Sequence, residues 1–214
     1  MKSSLSIEVY VDLICPWCLI GKRHLSLAIA QLQQETPDLE MGLKWQSVQL
    51  LPHTPDEGVD FTAFYLDRLG SPDAVRMRQA QVLAAAATAG VVIDFARIQR
   101  MPNTRRAHQL MAFAAEQLDV VRTEVLLDRL LAAHFNRGEN LNDMDMLRGL
   151  AAVQGLDLMA LDAWVSTNQG LPKPIELPGV PFFVFNRVHA LSGAQAPDAL
   201  LAVMRQSLRE VCAA

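Results

Sequence analysis

The chain has 214 residues, 51% hydrophobic and 20% charged, with a formal net charge of −4. That length supports a buried core in one large domain, or in one domain with an insertion, and the mild acidity offers no basic face for nucleic acid. The first residues lack the apolar core and cleavage site of a secretory leader, and no apolar run is long enough to cross a bilayer. The reading is a cytoplasmic protein, monomer or homodimer, with neither nucleic-acid nor membrane partners.

In chain order, the run from Ile7 to Ile14 reads as a buried strand and Leu19 to Gln34 as a helix. Between them stands Cys15-Pro16-Trp17-Cys18. A second strand covers Met41 to Leu51, stopped by Pro52 and Pro55, and from Asp60 to about Asn168 the periodicity is helical. Ser71-Pro72 is a cap followed by proline at a first helical position, and that helix runs through an alanine-rich stretch to Gly90. Asn103 is placed as the cap of a third helix. Strand character returns at Val180 to Phe185, and a last helix runs from about Pro197 to Val211. Two β-rich ends around a helical middle predict one sheet built from both termini. The unbroken apolar runs predict strands covered on both faces. The units are 1–55, 56–170 and 171–214, the middle one an all-helical insertion that walls a cleft above the thiols.

A cysteine between a strand and a helix start meets outward-pointing backbone N–H groups and the positive end of the helix dipole. Its thiol is therefore expected below the free value of about 8.5, with Cys15 the exposed nucleophile and Cys18, one turn in, the buried resolving thiol. The same spacing occurs in zinc knuckles, but the only other cysteine is Cys212, far along the chain. Redox chemistry is the preferred reading, and a reducing compartment favours a catalytic or sensing disulfide over a structural one. Pro16 withholds an N–H from the Cys15 sulfur, and Trp17 supplies apolar area beside it. Cys212 is read as a bystander. His24, His53, His134 and His189 show no ligand spacing and are assigned no site. Lys22, Arg23, Arg105 and Arg106 read as solvated surface, with attraction of an anionic substrate such as glutathione as the alternative.

Strand–Cys-Pro-Trp-Cys–helix resembles the thioredoxin superfamily, and the helical insertion resembles its DsbA-like branch. Three segments narrow the resemblance to FrnE-like proteins: Asp12 to Lys22, Pro102 to Leu110, and Gly179 to Val184 followed by Ser192 to Gln195. The chain departs from that pattern at Leu19, at Gln49-Leu50-Leu51-Pro52 and at Glu176-Leu177-Pro178. The resemblance implies an α/β thioredoxin-like fold with a helical insertion and a cis Pro181 against Cys15. It also implies substrate pairing along Val180 and a cleft lined by Asn103 and His108. Asp12, three residues before Cys15, becomes a proton-transfer candidate by the same comparison.

The implied activity is thiol–disulfide exchange on protein or small-molecule thiols and disulfides. No bound cofactor is expected beyond the redox-active Cys15–Cys18 disulfide, with glutathione as a possible co-substrate. Two alternatives stand beside it. Kappa-class glutathione transferases and 2-hydroxychromene-2-carboxylate isomerases share the fold but carry serine at the first cysteine. The other alternative is a redox-regulated peptide-binding module without turnover.

Overall fold

The computed structural model describes residues 4–172 and 175–212, without the side chains of Val211 and Cys212, so the Cys212 thiol lies outside the described residues. β1 (Ser4–Val11) runs into α1 (Pro16–Glu35), which crosses over to β2 (Glu40–Ser47), parallel to β1. After the insertion, β5 (Phe182–Phe185) pairs antiparallel with the other edge of β1, and β6 (His189–Ser192) pairs antiparallel with β5. The sheet order is β2-β1-β5-β6, and α8 (Pro197–Cys212) packs beside α1.

Leu5, Ile7, Val9 and Val11 of β1 pack with Leu25 and Leu32 of α1, Phe183 and Phe185 of β5, and Leu200 and Met204 of α8. Burial along β1 alternates, with Ser4 and Ser6 exposed, which corrects the expectation of a strand covered on both faces. One face carries the core and the other is partly open to solvent there, so side chains follow the two-residue period of the pleat.

The insertion begins with β3 (Val59–Asp60), α2 (Phe61–Leu69) and α3 (Pro72–Ala89). A 3-10 turn (Phe95–Arg97) and β4 (Arg100–Met101) follow, then α4 (Arg105–Gln117), α5 (Val120–Arg137), α6 (Met144–Val153) and α7 (Leu158–Ser166). The Ser71 side chain accepts from the Ala74 N–H, and Gly90 takes the left-handed conformation that ends α3, as its sequence signals predict. The insertion is not wholly helical, because β3 and β4 form a short antiparallel ladder. Asp60 leaves that ladder to cap α2, while the Phe61 N–H donates to the Gln99 carbonyl at 3.0 Å, so the chain's entry is tied to its first return. A second core forms from Leu13, Ile14 and Ile20 together with insertion residues such as Phe61, Leu110, Leu130 and Phe135.

Both strands flanking the site end earlier than their apolar runs. β1 stops at Val11 because Asp12 takes the Leu13 N–H on its side chain at 2.7 Å and the Cys15 N–H on its carbonyl at 3.2 Å. β2 stops at Ser47, and the Leu50 N–H turns to the other Asp12 oxygen at 2.8 Å. Leu13 and Ile14 stay apolar because they belong to the insertion's core. β6, which has no apolar run, is not signalled by sequence.

Gly21 lets α1 approach the proline loop. A Cβ there would stand 2.6 Å from Pro181 Cγ and 3.3 Å from Phe183 Cζ. Gly21→Ala should therefore destabilise the fold by about 1–3 kcal/mol in denaturant titrations. Gly149→Ala in α6, where nothing lies within 4 Å, should instead stabilise it by about 0.5–1 kcal/mol.

Candidate active site

Cys15 occupies the N-cap position of α1, where serine or aspartate would usually offer an oxygen, and Pro16 fills the first helical position. Both Cys15 and Cys18 are free thiols. Cys15 is 8% exposed and Cys18 1%, so the first thiol is less open than expected. What solvent access it has is through a cavity of about 330 Å³ lined by Cys15, Pro16 and Trp17 from the start of α1 and by Tyr65, Arg68 and Arg78 from α2 and α3.

The Val180–Pro181 peptide is cis, as the resemblance implies. The Cys15 thiol donates to the Val180 carbonyl at 3.6 Å, and the Pro181 carbonyl accepts from the Gly193 N–H at 2.8 Å. The proline loop, the helix start and Trp17 thus meet around one sulfur.

The two thiols are driven apart electrostatically. Cys15 lies below the ordinary thiol range chiefly because the Cys18 thiol hydrogen-bonds its sulfur. Burial opposes this, the Cys18 N–H supports it, the negative Asp12 opposes it and the Trp17 N–H supports it. The neighbouring thiol and the N–H groups of the helix start together hold the thiolate. Cys18 is pushed well above the ordinary range, first by burial and then by its hydrogen bond and charge interaction with Cys15.

Beneath them lies Asp12, fully buried. Its carboxylate accepts from the Leu13 and Leu50 N–H groups and meets His108 Nε2 at 3.0 Å. A buried carboxylate needs such partners. His108 is therefore not on a solvated helix face. It reaches from α4 to the acid behind the thiols, and also lines a second cavity of about 810 Å³ between β1, β2, α4 and α5.

Asn103 is likewise placed away from the Cys15 cavity. Its Nδ2 donates to the Thr54 carbonyl at 2.6 Å, and its Oδ1 accepts from Gln49 Nε2 at 2.7 Å and the Arg105 N–H at 2.9 Å. With donor and acceptor engaged, it fastens the loop after β2 to the start of α4. The N-cap itself is Thr104.

Lys22, expected on the surface, is 5% exposed, with Nζ 2.8 Å from both Glu124 and Asp128 of α5 and 5.7 Å from the Trp45 ring centre. It clamps α1 to the insertion. Arg105 and Arg106 share Asp56, which leaves them occupied. His134, assigned no site from sequence, is buried with its Nδ1 lacking a hydrogen-bond partner. Burial pushes it down to about 4, against the pull of the Asp12 charge. No local sequence signal separates these buried groups from surface ones. The pairing across 96 positions between Asp12 and His108 is a product of the fold.

The sequence model of the DSBA-like thioredoxin domain family matches residues 6–205. An uncharacterized protein, YwbO of Bacillus subtilis (strain 168), is 29% identical over 154 residues, 72% of this chain and 68% of that relative. A probable DsbA oxidoreductase of Streptomyces coelicolor superposes with a TM-score of 0.83 at 24% identity, over 96% of this chain and 91% of the other. The cytosolic disulfide reductase DsbM of Pseudomonas aeruginosa, solved with GSH, superposes at 0.59 with 18% identity, over 95% and 99%. The two structural likenesses are likenesses of fold.

Two predictions rest on these charges. Thiolate absorbance should show Cys15 ionising at lower pH in the wild type than in Cys18→Ala, which removes the largest stabilising contact. Asp12→Asn should lower Cys15 further, since it removes an opposing charge. His134 concerns stability. Its folded value of about 4 lies below the ordinary 6.5, so between those pH values the unfolded chain binds a proton that the folded chain refuses. The contribution is complete above pH 6.5 and is lost as pH falls to about 4, a loss of about 3 kcal/mol at about 1.4 kcal/mol per unit. His134→Leu should flatten the stability–pH curve over that window in denaturation measured at stepped pH.

Proposed function

This chain belongs to the DSBA-like thioredoxin domain family, and we propose that it is a thiol–disulfide oxidoreductase whose electrons pass through a Cys15–Cys18 dithiol–disulfide couple, with no other bound cofactor. The observation that carries this reading is the placement of the two free thiols: Cys15 caps the start of α1 at the mouth of a cavity, 3.6 Å from the Val180 carbonyl, and Cys18 is buried one turn further in, with the first thiol lowered and the second raised. An exchange enzyme needs one sulfur ready to attack and a second that keeps its proton until its turn.

In the reducing direction, the Cys15 thiolate attacks one sulfur of a substrate disulfide. The Cys15–substrate bond forms, the substrate S–S bond breaks, and the second substrate sulfur leaves as a thiolate. Cys18 then loses its proton and attacks Cys15 Sγ. This forms the Cys15–Cys18 disulfide and expels the remaining substrate thiolate, so two electrons have moved from dithiol to substrate. The oxidising direction is the reverse sequence. Asp12 is the proposed acceptor of the Cys18 proton, because it is the carboxylate whose charge acts on both thiols.

Trp17, Val180 and Pro181 are the proposed substrate surface: Trp17 lines the cavity, and the Val180 carbonyl already receives the Cys15 thiol. Asn103 and His108 act on that surface only through the groups they hold. The proposed partners are protein or small-molecule thiols and disulfides in the cytoplasm. Glutathione is included on the strength of the DsbM structure solved with GSH. Among the described residues, no helix is long and apolar enough to cross a membrane. A serine-type glutathione transferase or isomerase fits less well, because Cys15 stands where that chemistry uses serine.

Trapping tests the proposal. Cys18→Ala should accumulate mixed disulfides on Cys15, visible by mass spectrometry, because the resolving attack is gone. Cys15→Ala should trap none at that position and lose turnover down to the uncatalysed rate. Equal trapping on Cys18, or full activity in Cys18→Ala, would transfer the assignment to a monothiol, glutathione-linked mechanism.

A further inference from the structure

The cavity over Cys15 carries a charge pattern that the exchange chemistry does not require. Its only charged lining residues are Arg68, in the last turn of α2, and Arg78 of α3, in a chain whose net charge is −4. Several other arginines of the insertion pair with carboxylates, Arg97 with Asp94, Arg105 and Arg106 with Asp56 and Arg137 with Glu139, while Arg100 and Arg122 donate to backbone carbonyls. Arg68 and Arg78 have no carboxylate partner among the described residues, and Arg78 Nη1 donates to Gln81 Oε1 at 3.3 Å. Two exposed guanidinium groups thus stand over the same opening, with their charge uncompensated.

Tyr65 also lines the cavity, with a hydroxyl that has no hydrogen-bond partner among the described residues. The ring is fixed by edge-on contacts with Phe61 and Phe64 at 4.9 and 5.2 Å between centres. Burial raises the Tyr65 hydroxyl and the Cys15 charge adds to that, while Arg68 and Arg78 pull it down. The sulfur and both arginines thus each act on the phenol. The remaining walls are largely apolar, as in a small-molecule site, and about 330 Å³ is at the small end of such sites.

Resting on the exchange reading above, we infer that Arg68, Arg78 and the Tyr65 hydroxyl form a carboxylate-recognising subsite, and that the preferred substrates are small disulfides carrying carboxylates a few bonds from the sulfur. A guanidinium fork donates two parallel N–H···O bonds to a carboxylate, and a free phenol adds a third donor. With the carboxylate held at the rim, the disulfide lies over Cys15, and the attack proceeds as already written with no further co-reactant. Lys22, Arg23, Arg105 and Arg106, read from sequence as solvated surface with attraction of an anionic substrate as the alternative, are not among the residues lining this cavity.

The test uses the full reduced chain and three symmetric disulfides of similar size: dithiodipropionate (dianionic), bis(2-hydroxyethyl) disulfide (neutral) and cystamine (dicationic). Each second-order rate is divided by that of a small reference dithiol, which removes intrinsic reactivity. The expected order is dianion over neutral over dication. Exposed charge pairs are worth up to about fivefold each, so the dianion-to-neutral ratio should be on the order of tenfold. It should narrow as rising salt shortens the screening length to about 3 Å at 1 M. The Arg68→Gln/Arg78→Gln double variant should bring that ratio close to one, and the corresponding double lysine variant should keep part of it. A wild-type ratio near one, or a ratio that survives the double glutamine variant, overturns the subsite and leaves the exchange reading standing. Failure to reduce any of the three disulfides overturns the subsite, and if Cys18→Ala also traps no mixed disulfide on Cys15, the exchange reading falls with it.

Discussion

A carboxylate with no access to water organises this protein. Asp12 ends β1, and its two oxygens are satisfied by the Leu13 N–H, the Leu50 N–H and the His108 ring. Each partner comes from a different part of the chain: the turn before Cys15, the loop after β2, and helix α4 of the insertion. Leaving such a group unpaired costs several kcal/mol, so the three segments are constrained to meet there. The same negative charge acts on both thiols. Structural closure and redox environment therefore depend on one side chain.

The insertion is more than a lid placed over a finished sheet. Leu13, Ile14 and Ile20, which bracket the two cysteines, belong to its core, whereas Cys15, Cys18 and Leu25 belong to the core of the sheet. The turn and first helical turns around the thiols thus alternate between two hydrophobic environments, and Trp17 and Trp45 pack against both. Lys22 adds an ionic clamp from α1 to α5. Loss of packing in either unit would be felt at the sulfur atoms.

Much of this was legible in the residues. The cysteine pair between strand and helix, the cap at Ser71 and the stop at Gly90 all follow local rules, and local rules survive folding. What escaped was long-range. Asp12 and His108 meet across 96 positions, and Lys22 and Glu124 across 102. A lysine or histidine on a helix reads as surface unless its partner is known. The strand ends were overread for a related reason: Leu13, Ile14 and Leu51 are apolar because the insertion covers them, and not because they continue a ladder. β6 escaped because four residues at a sheet edge, two of them exposed, carry too little pattern.

The contact that most strongly holds the Cys15 thiolate also bears on the reduction potential. The Cys18 thiol hydrogen-bonds that sulfur only while both are reduced, and oxidation to a disulfide removes donor and acceptor together. Every favourable contact to the thiolate is therefore stabilisation that the dithiol enjoys and the disulfide lacks, which shifts the couple towards oxidising power. Asp12 weighs on the other side, since its charge disfavours a thiolate and has no such quarrel with a neutral disulfide. The poise of the couple is set by this opposition between a donor one helical turn away and an anion beneath it. A substitution at Asp12 would therefore retune the direction of electron flow while leaving both cysteines in place.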